Sequence, residues 1–147
     1  PDFKTDVFSL RDRVIIITGA SGMLGRQHAD AIAAFGGIPV LLDLFQDPVE
    51  QLADDLCETH GVAAAGYAVD ITQEQQVESN YLTVLERFGR IDGLINNAAN
   101  NPKVESKDEK NFSRLEKFPI DVWQDDLCVG LTGSFLCAKH HQSLGVP

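Results

Sequence analysis

Basic residues are scarce in this chain. Its 12 Lys and Arg face 22 Asp and Glu, a formal net charge of −10. A surface that neutralises nucleic-acid phosphates needs clustered cations, so no nucleic-acid partner is expected. The same deficit argues against an anionic membrane surface. Long apolar runs are also missing, and none approaches the ~20 residues of a membrane-spanning helix. The opening stretch PDFKTDVFSLRDR has no signal-peptide apolar core. Cysteine is rare: Cys57, Cys128 and Cys137 form no CxxC pair, are odd in number and fall in helical patterns. Reduced, buried thiols and a cytoplasmic address are the expectation. No metal site is expected either. His28 has no second ligand at metal spacing, and the adjacent His140 and His141 leave a helix on different faces. Internal repeats and low-complexity segments are absent.

What remains is an ordinary globular composition, 44% apolar, in 147 residues, a length that suits one domain. Its organising stretch is Val14 to Gly25, VIIITGASGMLG. Four β-branched residues read as a strand buried on both faces. Three glycines follow at a spacing of three, Gly19, Gly22 and Gly25, and a helical pattern starts at once. A buried strand, a glycine-rich turn and a helix start together make a phosphate cradle. The backbone turns tightly, and the first N–H groups of the helix, around Ser21, Gly22, Met23 and Leu24, point at a pyrophosphate. A tight turn that binds nothing has the same glycines. The dinucleotide reading gains from Asp43, which ends the next strand at nearly the expected spacing of about 20 residues. Its carboxylate accepts from the ribose hydroxyls of NAD and repels a 2′-phosphate, so NAD is expected over NADP. Arg26, just after the last glycine, is the cation that weakens that preference.

The rest of the chain alternates. Strands are predicted at Val14–Ile17, Ile38–Asp43, Ala64–Val69 and Ile91–Ile95. Helix one, from Met23 to about Phe35, has its apolar face at Leu24, His28, Ala31, Ile32 and Phe35, and Gly36 and Gly37 stop it. Helix two carries Pro48 in its first turn and buries Val49, Leu52, Ala53, Leu56 and Cys57. Helix three is capped by Thr72, with Gln75 three residues on as in a capping box, and buries Val77, Tyr81, Val84, Leu85 and Phe88. Helix four runs from about Asp121 to His141, with Trp123, Leu127, Leu131, Phe135 and Ala138 as one long stripe. Gly130 and Gly133 lie inside it, each costing about 1 kcal/mol against Ala. Phe8 and Leu10 are expected to pack beside the first strand. The charged stretch from Asn100 to Phe118 reads as a solvated loop or as a flap over the substrate side. Alternating strands and helices require right-handed crossovers. The fold class is therefore α/β, a doubly wound, Rossmann-like parallel sheet of order 3-2-1-4. Gly19, Asp43, Asp70 and Asn97 then gather at the carboxyl edge, where such sheets bind ligands.

TGASGMLG, Asp70-Ile71 and Asn96-Asn97-Ala98-Ala99 together resemble the short-chain dehydrogenase/reductase family, over about Leu10 to Lys139. The glycine pattern TGxxGxxG departs from the TGxxxGxG of its main branch, and NNAA from the usual NNAG. The stretch NAANNPKVE resembles the branch serving flagellin modification and nonulosonic-acid sugars. The resemblance implies hydride transfer between a nicotinamide and a hydroxyl or carbonyl of a small, sugar-like substrate. It implies that Asp70 and Ile71 hold the adenine, that Asn97, Ala98 and Ala99 line the nicotinamide-side ribose, and that helix four packs across a subunit interface in a homo-oligomer.

The family's acid/base set does not appear. It is a Tyr with Lys four residues on, plus a Ser. Tyr67 and Tyr81 are followed at plus four by Ile71 and Leu85. The family's Asn in helix four is replaced by Gly130. No catalytic residue is therefore assigned. Residues 1–147 read as a single dinucleotide-binding domain without the later strands and helices, incomplete at its C-terminus and inactive alone. An inactive NAD-binding sensor or scaffold, and an epimerase or dehydratase of the extended branch, stay open.

Overall fold

The computed structural model describes residues 8–100 and 115–143. Four strands, β1 (Val14–Thr18), β2 (Ile38–Asp43), β3 (Ala65–Ala68) and β4 (Gly93–Ile95), form one parallel sheet in the order β3-β2-β1-β4. The helices are α1 (Met23–Ala34), α2 (Gln46–His60), α3 (Glu74–Phe88), α4 (Ile120–Leu127) and α5 (Ser134–Ser143). The sheet is the predicted one, with β3 and β4 shortened at their ends.

The two faces of the sheet bury different sets of residues. Ile17 and Leu41 face α1 and α2, meeting Ala29, Ile32, Val49 and Leu56. Their chain neighbours Ile16, Val40 and Leu42 face the other way, onto Val77, Tyr81 and Val84 of α3 and Cys137 of α5. A strand's two-residue period therefore makes the continuous apolar runs of β1 and β2 serve two cores. Each fully buried Ile, Leu or Val contributes roughly 1.5–3 kcal/mol before the entropy cost of ordering it.

Several local expectations fail, among them buried thiols throughout, since Cys128 is exposed and Cys57 half-buried. The buried face of α1 is Gly25, Ala29, Ile32 and Ala33, while Leu24, Ala31 and Phe35 are exposed and His28 is half-buried. Small residues let α1 lie close to the sheet, and that closeness, rather than side-chain size, selects the face. Thr72 does not cap α3. The helix begins at Glu74 with Gln73 at its N-cap and no side-chain cap. Thr72 instead donates through its N–H and Oγ1 to Oδ1 of Asp70, at 2.9 and 2.7 Å. A nearby carboxylate outcompetes the helix terminus for that hydroxyl.

Helix four is present but not uniform. A π-helical turn, Cys128–Gly133, separates α4 from α5 and contains both glycines. A π turn widens the helix locally, and glycine tolerates the change. The buried side is Gly133, Leu136, Cys137 and His140, whereas Trp123, Leu127, Leu131, Phe135 and Ala138 are exposed. Leu10 packs against the core, while Phe8 is exposed.

Polar contacts close the sheet's margins. At the amino edge, Asp92 accepts from Arg13, Arg90 and the Val14 N–H, joining the starts of β1 and β4. Burial raises the Asp92 carboxyl, but the hydrogen bonds from Arg90, Arg13 and Val14 outweigh it and hold the group far below the usual carboxylate range. At the outer side of β3, Gln46 donates to the Gly66 carbonyl and accepts the Ala68 N–H, at 3.1 and 2.7 Å. One side-chain amide thus stands in for a neighbouring strand.

Candidate functional site

The carboxyl ends of the strands open into a cleft of about 890 Å³, within the range of small-molecule sites. Its walls include Gly19, Ser21, Gly22, Met23, Leu24, Asp43, Asp70, Ile71, Asn97, Ala98 and Ala99. Every predicted site residue except Gly25 therefore borders one cavity. Gly25 lies buried behind the turn. A Cβ there would come 2.3 Å from the Gly19 carbonyl oxygen and 2.6 Å from the Ala20 Cα. Its role is to let α1 start directly under the loop.

Gly19 makes the turn. Its φ is +63°, a left-handed conformation that costs an L side chain, and a Cβ would sit 2.8 Å from the Ala98 Cα. Gly22 is the N-cap of α1, which has no side-chain cap and no acidic residue in its first turn. By contrast, α2, α3 and α4 carry Asp47, Glu74 and Asp121 there. No acidic residue of the helix itself thus offsets the positive end of the α1 dipole at the cleft.

Thr18 and Asn97 fasten the far side of the loop. The buried Thr18 Oγ1 accepts the N–H groups of Asn97 and Ala98, both at 3.0 Å. Asn97 Nδ2 donates to the carbonyls of Thr18 and Gly19, both at 3.0 Å. The amide of Asn97 therefore holds the turn. Asn96 Nδ2 reaches the Ser134 carbonyl at 3.2 Å and joins β4 to α5. Sequence reasoning did not single out Thr18; its signal was a polar residue closing a wholly apolar strand.

The acidic side is equally ordered. Asp43 Oδ2 accepts from the Ser21 N–H at 2.9 Å and the Ser21 Oγ at 2.6 Å, and Oδ1 accepts the Leu44 N–H at 2.8 Å. Asp70 Oδ1 is engaged by Thr72, while the Asp70 N–H donates to Gln76 Oε1 at 2.9 Å. Arg26 is tied through Nε to the Ser21 carbonyl at 2.9 Å. Leu44 and Phe45, which the sequence reading passed over, also border the cleft and are 60% and 70% exposed. Val129, from the π turn, also borders the cleft.

The family profile of the short chain dehydrogenases matches residues 13–143. The chain belongs to that family. An uncharacterised oxidoreductase, YxjF, of Bacillus subtilis (strain 168) is 31% identical over 131 residues, which span 89% of this chain and 47% of that protein. An NAD+-bound xylitol dehydrogenase superposes with a TM-score of 0.80 at 29% identity, over 91% of this chain and 48% of that one. An NADPH-dependent 3-quinuclidinone reductase from Rhodotorula rubra gives a TM-score of 0.78 at 29% identity, over 95% and 50%. The chain thus spans about half the length of the relatives it matches. The chain has the Rossmann-like, nucleotide-binding fold of these oxidoreductases, one of which is NAD+-bound and the other NADPH-dependent.

The two tyrosines of this chain sit away from the cleft walls. Tyr81, on α3, is wholly buried against the sheet, and burial drives its hydroxyl far above the ordinary tyrosine value. Tyr67 is half-buried on β3, within 3.4 Å of Arg87 Nη1. Gly130 leaves open space where a side chain would be, with nothing within 4 Å of a built Cβ. Among the described residues no group of three or more His, Cys, Asp or Glu could hold a metal, and no helix is long and apolar enough to cross a membrane. The charged stretch read as a solvated loop or a flap, with Lys103, Glu105, Lys107, Asp108, Glu109 and Lys110, lies outside the described residues.

Proposed function

We propose that this chain holds the cofactor of an NAD-dependent oxidoreductase that moves hydride between the nicotinamide and a hydroxyl or carbonyl of a small, sugar-like metabolite. The observation that carries the reading is the uncapped start of α1, free of acidic residues, opening beside a fixed Asp43. The cleft residues fit the group: a close-packed glycine turn for a pyrophosphate, a carboxylate for a ribose, and an apolar wall for a ring. Met23 and Leu24 offer the pyrophosphate their N–H groups, Gly19 and Gly22 let it approach the backbone, Ser21 holds Asp43 beside it, and Gly25 sets the turn. Asp43 accepts from the adenosine ribose, Asp70 and Ile71 hold the adenine, and Asn97, Ala98 and Ala99 line the second ribose. When bound, the nicotinamide supplies or takes up the hydride. The substrate proton needs an acid/base group that neither Tyr67 nor Tyr81 can provide, so the chain by itself is inactive.

The xylitol dehydrogenase neighbour supports a polyol or sugar-like substrate, without singling out the nonulosonic-acid branch. The exposed stripe of Trp123, Leu127, Leu131 and Phe135 supports a homo-oligomer formed through this helix. The unpaired Cys57, Cys128 and Cys137 support a cytoplasmic address. A second reading, a sensor or scaffold that binds NAD without chemistry, draws on the same two tyrosines. Incubation of the purified protein with NAD+ and a panel of polyols and ketones, followed at the NADH absorbance, tests the claim of inactivity, and titration with NADH tests the binding that both readings require. Turnover would contradict the claim of inactivity. Binding without turnover agrees with it, and loss of binding removes both readings.

A further inference from the structure

The strongest polar contacts in the cleft are between two of its own walls. A carboxylate accepts and does not donate, so the single hydroxyl proton of Ser21 lies on the 2.6 Å line to Asp43 Oδ2. The Ser21 N–H reaches the same oxygen at 2.9 Å, and the Leu44 N–H holds the other at 2.8 Å. Ser21 Oγ therefore has only lone pairs left for the cleft that it borders. A serine in a glycine-rich turn could donate to a phosphate; this one cannot while Asp43 keeps its proton.

We propose that Ser21 is a positioning and specificity-determining residue, which fixes the Asp43 carboxylate toward the adenosine ribose and presents acceptors alone at the 2′ position. A ribose hydroxyl donates into such a surface. A 2′-phosphate, itself an acceptor, finds no donor from Ser21 and meets the Asp43 charge. Asp43 is thereby held in one orientation before the ligand arrives, so little ordering is needed on binding. The inference rests on the dinucleotide reading and deepens it.

Calorimetric titration with NAD+ and with NADP+ tests it, on the wild-type protein and on Ser21→Ala, Ser21→Thr, Asp43→Asn and the double variant Ser21→Ala/Asp43→Asn. Wild type favours NAD+. Ser21→Ala weakens NAD+ about tenfold, the scale of one hydrogen bond to a charged group, with a smaller change for NADP+, so the preference narrows. Ser21→Thr keeps the hydroxyl and restores the preference. In the Asp43→Asn background, Ser21→Ala no longer changes the NAD+ to NADP+ ratio. Equal losses for both ligands, or additive effects in the double variant, would overturn the role while leaving the dinucleotide site standing. If wild type binds neither ligand, the dinucleotide reading itself falls.

Discussion

Gly25→Ala and Gly130→Ala make the same chemical change in one protein, and the structure predicts opposite signs. At position 25 the added methyl comes 2.3 Å from the Gly19 carbonyl oxygen, 2.6 Å from the Ala20 Cα and 2.8 Å from the Ala20 carbonyl carbon. All three are backbone atoms, so relief requires the turn and α1 to separate. Overpacking against a well-filled site costs about 1–3 kcal/mol and more where nothing can give. The gain in helix propensity from Gly to Ala returns about 1 kcal/mol. With only backbone to give way the cost sits at the top of that range, so a net loss of about 2 kcal/mol follows, or a drop in Tm of roughly 5–8 °C for a chain of this size. At position 130 nothing lies within 4 Å of the new methyl, so only the propensity term remains, a gain of up to about 1 kcal/mol. Urea unfolding followed by circular dichroism reads both variants against wild type. Gly25→Ala as stable as wild type, or Gly130→Ala as damaging as Gly25→Ala, would refute the packing argument.

Other perturbations separate the fold from the site. Gly66→Ala pushes a methyl to 2.4 Å from the Val49 carbonyl carbon, so it should destabilise the sheet by about 2 kcal/mol; thermal unfolding measures this, and a neutral result would mean α2 is not tightly seated on β3. Asp92→Ala removes an acceptor that is only 14% exposed from Arg13, Arg90 and the Val14 N–H and should cost about 2–3 kcal/mol by urea titration. Because the folded-state Asp92 carboxyl is depressed, its contribution is fully present above the unfolded value of about 4 and is lost as pH falls below that toward the folded value. Wild-type stability should therefore drop with acid across that window, and the Asp92→Asn variant should drop less; parallel pH curves would contradict the assignment. Leu131→Glu places a charge in the exposed stripe of helix four and should shift the protein toward monomer in sedimentation, with an unchanged unfolding midpoint for the monomer; an unchanged oligomeric state would remove that face as the interface.

The strands were legible because β-branched, wholly apolar runs such as Val14 to Ile17 have few other uses, and their order followed from the alternation with helices. The glycine turn, Asp43, Asp70 and Asn97 were legible because each ends a strand, and the carboxyl edge of a parallel sheet gathers such ends. The α1 face was not. Leu24 and Phe35 outweigh Gly25 and Ala29 on any hydrophobicity pattern, yet contact distance at the turn decides which side of the helix meets the sheet. Thr72 was misplaced because the spacing to Gln75 fits a capping box, while Asp70, two residues back, is a stronger acceptor for the same hydroxyl. The π turn has no sequence period of its own; Gly130 and Gly133 marked the place without specifying the geometry. The links from Ser21 to Asp43 and from Asn97 to Gly19 join residues 22 and 78 positions apart. Such pairings exist only once the sheet has formed.

The central claim is that the cleft at the start of α1 binds a nicotinamide dinucleotide through the glycine turn and Asp43. Titration of the purified protein with NADH, read by the change in nicotinamide fluorescence, tests it most directly. Saturable binding at one site per chain is expected, displaced by NAD+ and weakened by Asp43→Ala without loss of fold by circular dichroism. Folded protein that shows no saturable binding, or binding indifferent to Asp43→Ala, would contradict it.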